Sequence, residues 1–193
     1  METLSPTPGP KEQNWFKRIF WPQLEDEADV HDAARHGYYA CLLICLSTLV
    51  MMVLAGFPIG ALVDIFFFLM AGVGIRQLSR LASVAAFMMF LVERAAALVS
   101  GQVGLFSILG LLMAAILLNS VRAAYAAREL RPAGDIDAIA NPPMVASSDL
   151  WGWLDTLPWI LWPKLRVAFM FYLVGLIAMM LVGVVVRQVG LLQ

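Results

Sequence analysis

Apolar residues in this chain fall into five long runs, and the four longest polar stretches lie outside them. The runs cover residues 38–56, 57–75, 81–99, 103–125 and 165–186. A helix needs about 20 predominantly apolar residues to cross roughly 30 Å of hydrocarbon, and each run comes near that length. The pattern predicts an all-α membrane protein: a four-helix antiparallel transmembrane bundle, a fifth C-terminal transmembrane helix and two Trp-rich interfacial segments. The predicted divisions are a cytoplasmic tail with an interfacial aromatic segment and an acidic helix over 1–37, and the bundle over 38–127. A cytoplasmic linker with an interfacial amphipathic helix follows over 128–164, then the last span over 165–193, ending outside.

The connections carry the punctuation this predicts. Gly56, Pro58 and Gly60 mark a tight outer turn between the first two runs, because Gly and Pro supply the required backbone angles. A single re-entrant hairpin made of both runs is the rival reading. Ser100, Gly101 and Gln102 leave room only for an antiparallel pair. The opening 14 residues, with Pro6, Pro8, Gly9 and Pro10, read as a disordered tail. Trp15, Phe16, Phe20 and Trp21 flank Lys17 and Arg18, the composition of a segment lying in the membrane interface. Pro22 ends it, and the acidic stretch 23–36 reads as a short solvated helix leading into the first span. Residues 129–144, with Pro132, Gly134, Asn141, Pro142 and Pro143, read as a linker. Ser147, Ser148 and Asp149 then offer N-caps to a helix holding Trp151, Trp153, Trp159 and Trp162, broken by Pro158 and Pro163. These tryptophans, beside Lys164 and Arg166, predict anchors at the inner leaflet; a partner-binding surface is the alternative. The fifth span is expected to stand apart from the four-helix core.

Composition agrees with the pattern. A hydrophobic content of 61 % and a mean hydropathy of +0.80 fit no ordinary soluble domain. At 193 residues, with over half in spans, there is no room for a separate soluble one. Net charge of −1 argues against nucleic acid as a partner, which requires a concentrated basic surface. No signal-peptide pattern precedes the first run, so that span is predicted to be retained as an anchor. Orientation follows from Lys and Arg in the short loops. The tail carries Lys11, Lys17, Arg18 and Arg35, the second turn Arg76 and Arg80, and the loop after the fourth run Arg128, Arg131, Lys164 and Arg166. The alternate turns carry none, and Arg187 alone lies on the other side. The N-terminus is therefore expected inside and the C-terminus outside.

Candidate chemistry is confined to polar residues within the spans. Asp64, Glu93, Arg94, Asn119 and Arg122 sit in apolar sequence, where charge is costly and usually faces the bundle interior. At 1.5 Å per residue, Asp64 lies roughly 10 Å and Arg94 roughly 8 Å below the outer surface, so an Asp64–Arg94 ion pair is expected. Glu93 would then be left without a cation, and a carboxylate in that setting favours its neutral form. Asp64, Glu93, Arg94 and Asn119 thus form a predicted polar network, either fixing helix register or handling ions or protons. Three stripes of small and polar residues are expected to face inward: Gly60, Asp64, Phe67, Ala71 and Gly74; Ala82, Ala86, Met89, Glu93 and Ala97; Ile108, Leu112, Ala115, Asn119 and Arg122. Small residues let helices approach closely in lipid. Asn119 is expected to bond across helices and Arg122 to snorkel to the headgroups.

Enzyme and cofactor signatures are missing. His31 and His36 lie five apart on different helix faces and read as solvated. No histidine lies within a span, which argues against a bis-His haem. The sequence holds no zincin, nucleophile-elbow or phosphate-loop motif. Methionines and the two cysteines, Cys41 and Cys45, read as packing. No metal, no cofactor and no catalytic residue is predicted. The run from Gly74 to Arg94, with its Arg-Gln-Leu-Ser-Arg turn and late Glu-Arg pair, resembles small bacterial membrane proteins. That resemblance implies a place in the bacterial inner (cytoplasmic) membrane and no particular activity. The expected function is a non-enzymatic scaffold or accessory subunit of a larger membrane complex. Its partners are the lipid bilayer and a membrane protein or a second copy. The alternative is a small ion- or proton-coupled transporter using Asp64 and Glu93.

Overall fold

In a computed structural model the chain is described at Leu24 and over residues 26–55, 61–99, 101, 106–130 and 150–190. Among these residues all regular structure is helical: α1 (Glu27–Ala55), α2 (Ala61–Arg76), α3 (Arg80–Val99), α4 (Phe106–Leu130) and α5 (Leu150–Gly190). The expected tail with Trp15 and Trp21, the 56–60 turn and the linker with its Ser and Asp caps lie outside the described residues.

Among the described residues four helical stretches are long and apolar enough to cross a membrane: Glu27–Leu54, Arg80–Val99, Ile108–Leu130 and Gly152–Met179. Five were expected. The described part of the second, α2, has 16 residues, about 24 Å, which is short of a roughly 30 Å core. It is nonetheless the central helix, packing against α1, α3 and α5, while α4 packs against α1 and α3. Nine α2 residues, including every one from Met70 to Ile75, are buried, whereas Leu62, Val63, Phe66 and Leu69 turn outward.

α1 and α5 both run opposite to α2 in chain sense. Cys45 of α1 donates its thiol to the Ile65 carbonyl of α2 at 3.4 Å, whereas Cys41 sits against Gly72. On the other side of α2, Tyr172 of α5 donates to the Val63 carbonyl at 2.7 Å, and Trp162 reaches Gly74. The core is aromatic, with Phe67, Phe68, Phe90 and Phe169 all at or below 1 % exposure. Where lipid is the solvent, its tails are as apolar as these side chains, and close packing holds such helices together.

Two expected boundaries disappear in the structure. Asp26 accepts from the Val30 amide at 3.2 Å, and Glu27 and Asp29 occupy the first turn of α1, where negative charge complements the helix dipole. From there α1 runs through residue 37 without a break. Nor is its acidic start simply solvated. Val30, Ala33 and Ala34 are buried, and Val30 and Ala33 cluster with Ala123, which leaves Glu27 and Asp32 on the exposed side.

The second correction concerns α5, a continuous helix of 41 residues with Pro158 and Pro163 inside it. Proline removes one amide donor and frees the carbonyl four residues earlier. At Pro158 that carbonyl belongs to Leu154, and Tyr38 of α1 donates its hydroxyl to it at 3.3 Å. A neighbouring helix thus satisfies the freed group, the condition under which proline is tolerated in membrane helices. α5 is therefore not detached from the core. Phe169 is fully buried on it, and Trp162 packs against the same cluster.

The α2–α3 turn is closed by two backbone bonds, Ser79 to Gly74 at 3.0 Å and Leu78 to Ile75 at 2.9 Å. This is the Schellman pattern, whose penultimate position is usually glycine. Here it is Leu78, at φ 54°, where a side chain costs about 1–2 kcal/mol. The compensation is packing, since Leu78 closes the Val30, Ala33 and Ala123 cluster. Leu78→Ala, which keeps the strain and loses the packing, should therefore destabilise by about 1 kcal/mol more than Leu78→Gly. Thermal unfolding of the two variants in detergent checks this; equal midpoints, or a lower one for the glycine variant, would refute it.

Candidate functional site

The polar residues expected to form one network fall into two groups. At one end of α2, Asp64 lies in the first described turn, half-buried and favoured there by the helix dipole. Glu93 of α3 comes within electrostatic reach of it. The Glu93 Oε1 atom is buried, with no hydrogen-bond partner among the described residues. Tyr172 of α5 completes this group, also within electrostatic reach of Asp64.

The expected Asp64–Arg94 ion pair is not formed among the described residues. Arg94 turns toward α4 instead. Its guanidinium carbon lies 4.9 Å from the Phe90 ring centroid, and its side chain covers Gly110, with Cδ 3.5 Å from where a β-carbon there would stand. Neighbouring residues on a helix point about 100° apart. One of Glu93 and Arg94 must therefore face α2 and the other α4, and the carboxylate takes the α2 side.

Asn119 belongs to the other end. It is 3 % exposed and accepts from Arg122 Nη1 of its own helix at 3.2 Å. Arg122 is thus tied one turn back along α4. The adjacent Ser120 faces Gly37 of α1, where Ile75 also closes in. Along α2, eleven residues separate Ile75 from Asp64, roughly 16 Å, which keeps Asn119 out of the carboxylate group.

Two of the three inward stripes hold for the described residues: Phe67, Ala71 and Gly74 on α2, and Ala82 and Ala86 on α3, are buried. On α4 the expected stripe holds only in part, since Ile108 is 78 % exposed. The buried residues are Gly110, Met113, Leu117, Asn119, Ser120, Ala123 and Ala124, so Asn119 of the expected stripe is interior and Ile108 is not.

The tryptophans likewise separate. Trp153 is exposed, Trp159 is half-buried, and Trp162 packs at a tilt against Phe169 in the core, ring centroids 5.8 Å apart. Trp151 is described only as part of the first turn of α5. Cys41 and Cys45 are free and buried. His36 Nδ1 lies 2.7 Å from the Asp32 carbonyl of its own helix. Among the described residues no three His, Cys, Asp or Glu side chains group as a metal site would require.

Sequence reading missed Tyr172 and Arg80. A lone hydroxyl-bearing ring in the apolar fifth run was the available signal for the first. Arg80 had been only an orienting loop charge, yet its guanidinium bonds the Ala124 carbonyl at 3.4 Å and the Tyr125 carbonyl at 3.5 Å. It also sits 4.5 Å from the Tyr125 ring centroid, which joins the start of α3 to α4. No protein-family model matches the chain, and no curated protein or solved structure matches it.

Proposed function

We propose that this chain is a multi-pass membrane protein of the bacterial inner membrane, N-terminus inside and C-terminus outside, acting as a non-enzymatic scaffold or accessory subunit. The observation that carries the reading is the way α5 is attached. In an 18-residue apolar window within Gly152–Met179, 6 % of residues are buried, against 22 % to 33 % in the corresponding windows of the other three candidate spans. It is held along one narrow face and turns the rest outward, Phe171 at 76 % and Val174 at 63 % exposure among them. A helix so presented suits a membrane-embedded partner.

Mild-detergent purification from the native membrane, with mass spectrometry of what accompanies the protein, tests this. A stoichiometric partner that is lost on replacing Phe171 and Val174 with alanine supports the role. A protein that emerges alone, or a partner indifferent to those changes, counts against it.

The buried, unpartnered Glu93 oxygen facing Asp64 favours a second reading, proton-coupled transport. Intramembrane ionisable groups are costly and commonly mark ion pathways. The variant Glu93→Gln separates the two. As a scaffold the protein should keep its expression and partner, because a neutral group of the same shape replaces the acid. As a transporter it should lose pH-dependent flux in liposomes while still folding.

A further inference from the structure

A groove of about 540 Å³ runs along the outside of α3, walled on its far side by Leu176 and its neighbours on α5. That volume falls within the range of about 300–1,000 Å³ typical of small-molecule sites. Val84, Met88 and Val92 line its length, and Arg80 and Tyr125 close one end. Among the described lining residues Arg80 is the one that carries charge.

Three observations define what fits. From Arg80 to Val92 the helix rises about 18 Å, close to the roughly 15 Å depth of one leaflet of hydrocarbon. The groove is open along its side and apolar throughout that length, as an acyl chain requires. At its mouth Arg80 commits Nε and one Nη2 hydrogen to the long bonds with Ala124 and Tyr125. Its remaining three N–H groups meet no acceptor among the described residues, and no carboxylate there pairs with it. Arginine's fork of donors suits a phosphate oxygen pair.

We propose that this groove holds one anionic phospholipid, with the phosphate on Arg80 and an acyl chain along Val84, Met88 and Val92. The inference rests on the membrane reading and is independent of the accessory role.

The full chain in mild detergent is titrated with phosphatidylglycerol or phosphatidylcholine of identical acyl chains, and bound lipid is counted by native mass spectrometry. Phosphatidylglycerol should bind about fivefold more tightly, the preference one cation near an anionic headgroup confers. Val84→Trp, which fills the groove from a position 36 % exposed, should abolish retention of both lipids. The equally bulky Leu91→Trp, outside the lining, should retain both. Arg80→Gln should bring phosphatidylglycerol down to the phosphatidylcholine level. Because Arg80 also holds α4, its loss can prevent folding; Arg80→Lys then tests the charge and should keep most of the preference.

Equal binding of the two lipids by the unaltered protein would overturn the proposal, as would undiminished retention in Val84→Trp. So would a dimer that Val84→Trp dissociates, which would make the groove an interface between copies. Release of the protein from membranes by alkaline carbonate would instead defeat the membrane reading, and is scored separately.

Discussion

Gly74→Ala should lower stability by about 3 kcal/mol. Alanine is ordinarily worth about 1 kcal/mol over glycine within a helix, so the sign here is decided by space. A β-carbon at residue 74 would overlap the Ala82 β-carbon of α3 and the Trp162 ring of α5, one of whose atoms lies 2.6 Å away. Ala82 has no rotamer to escape through and can yield only if α3 moves. Trp162 is backed by Phe169 at 5.8 Å. Three helices meet at this point, and overpacking of such a core costs about 1–3 kcal/mol or more. Trimming Trp162 in the same chain should recover only part of the loss, because Ala82 remains. The chain's two cysteines are both buried, so the rate of thiol labelling reports opening of the core directly. A Gly74→Ala protein with unchanged labelling and unchanged melting temperature would remove the argument for a three-helix contact at this residue.

Phe169→Ala should fail differently. Phe169 is the large apolar α5 side chain that is fully buried, lying 5.8 Å from Phe67 and against Trp162. Phe→Ala in a core costs about 3–5 kcal/mol. Part of that is transfer from water, which falls away when lipid is the solvent, so about 2–3 kcal/mol is expected. The loss should be local, because α5 bears chiefly on α2 and the α1–α4 contacts do not pass through it. Hydrogen exchange should rise along α5, while Cys41 and Cys45 stay as slow to label as before. Fast labelling of both cysteines would show instead that α5 is integral to the core.

These two residues also show how far the sequence could be read. Helical class and the apolar stretches were legible from run length alone, and Gly74 was legible as an interior residue because small side chains recur at helical spacing around it. Its neighbour Trp162 was not. Tryptophan next to Lys164 and Arg166 has the composition of an interfacial anchor, and composition is silent about a slot opened by a glycine 88 positions earlier. Counting residues along the helices set Asp64 level with the Glu93–Arg94 pair, and Glu93, not Arg94, is the one that reaches it. Depth follows from counting residues, whereas the choice between Glu93 and Arg94 for the α2 side depends on a rotation of α3 that the sequence leaves open. The continuity of α5 was hidden for a related reason. Pro158 breaks a helix in isolation, and only Tyr38, far away in the chain, makes it tolerable.

That last contact bears on the order of biosynthesis. Tyr38 and Leu154 stand 116 positions apart, and domains are assembled from the N-terminus as the chain is made. When α1 to α4 have emerged, the aromatic flank of α2 around Phe67 and Gly74 still lacks its covering, and the bond from Tyr38 to Leu154 is still to form. Both come with α5, which follows the other four helices in the chain. The nascent protein therefore passes through a stage in which its most apolar helix has an unoccupied side. The bent-prone first half of α5, with its two prolines, is what closes that seat.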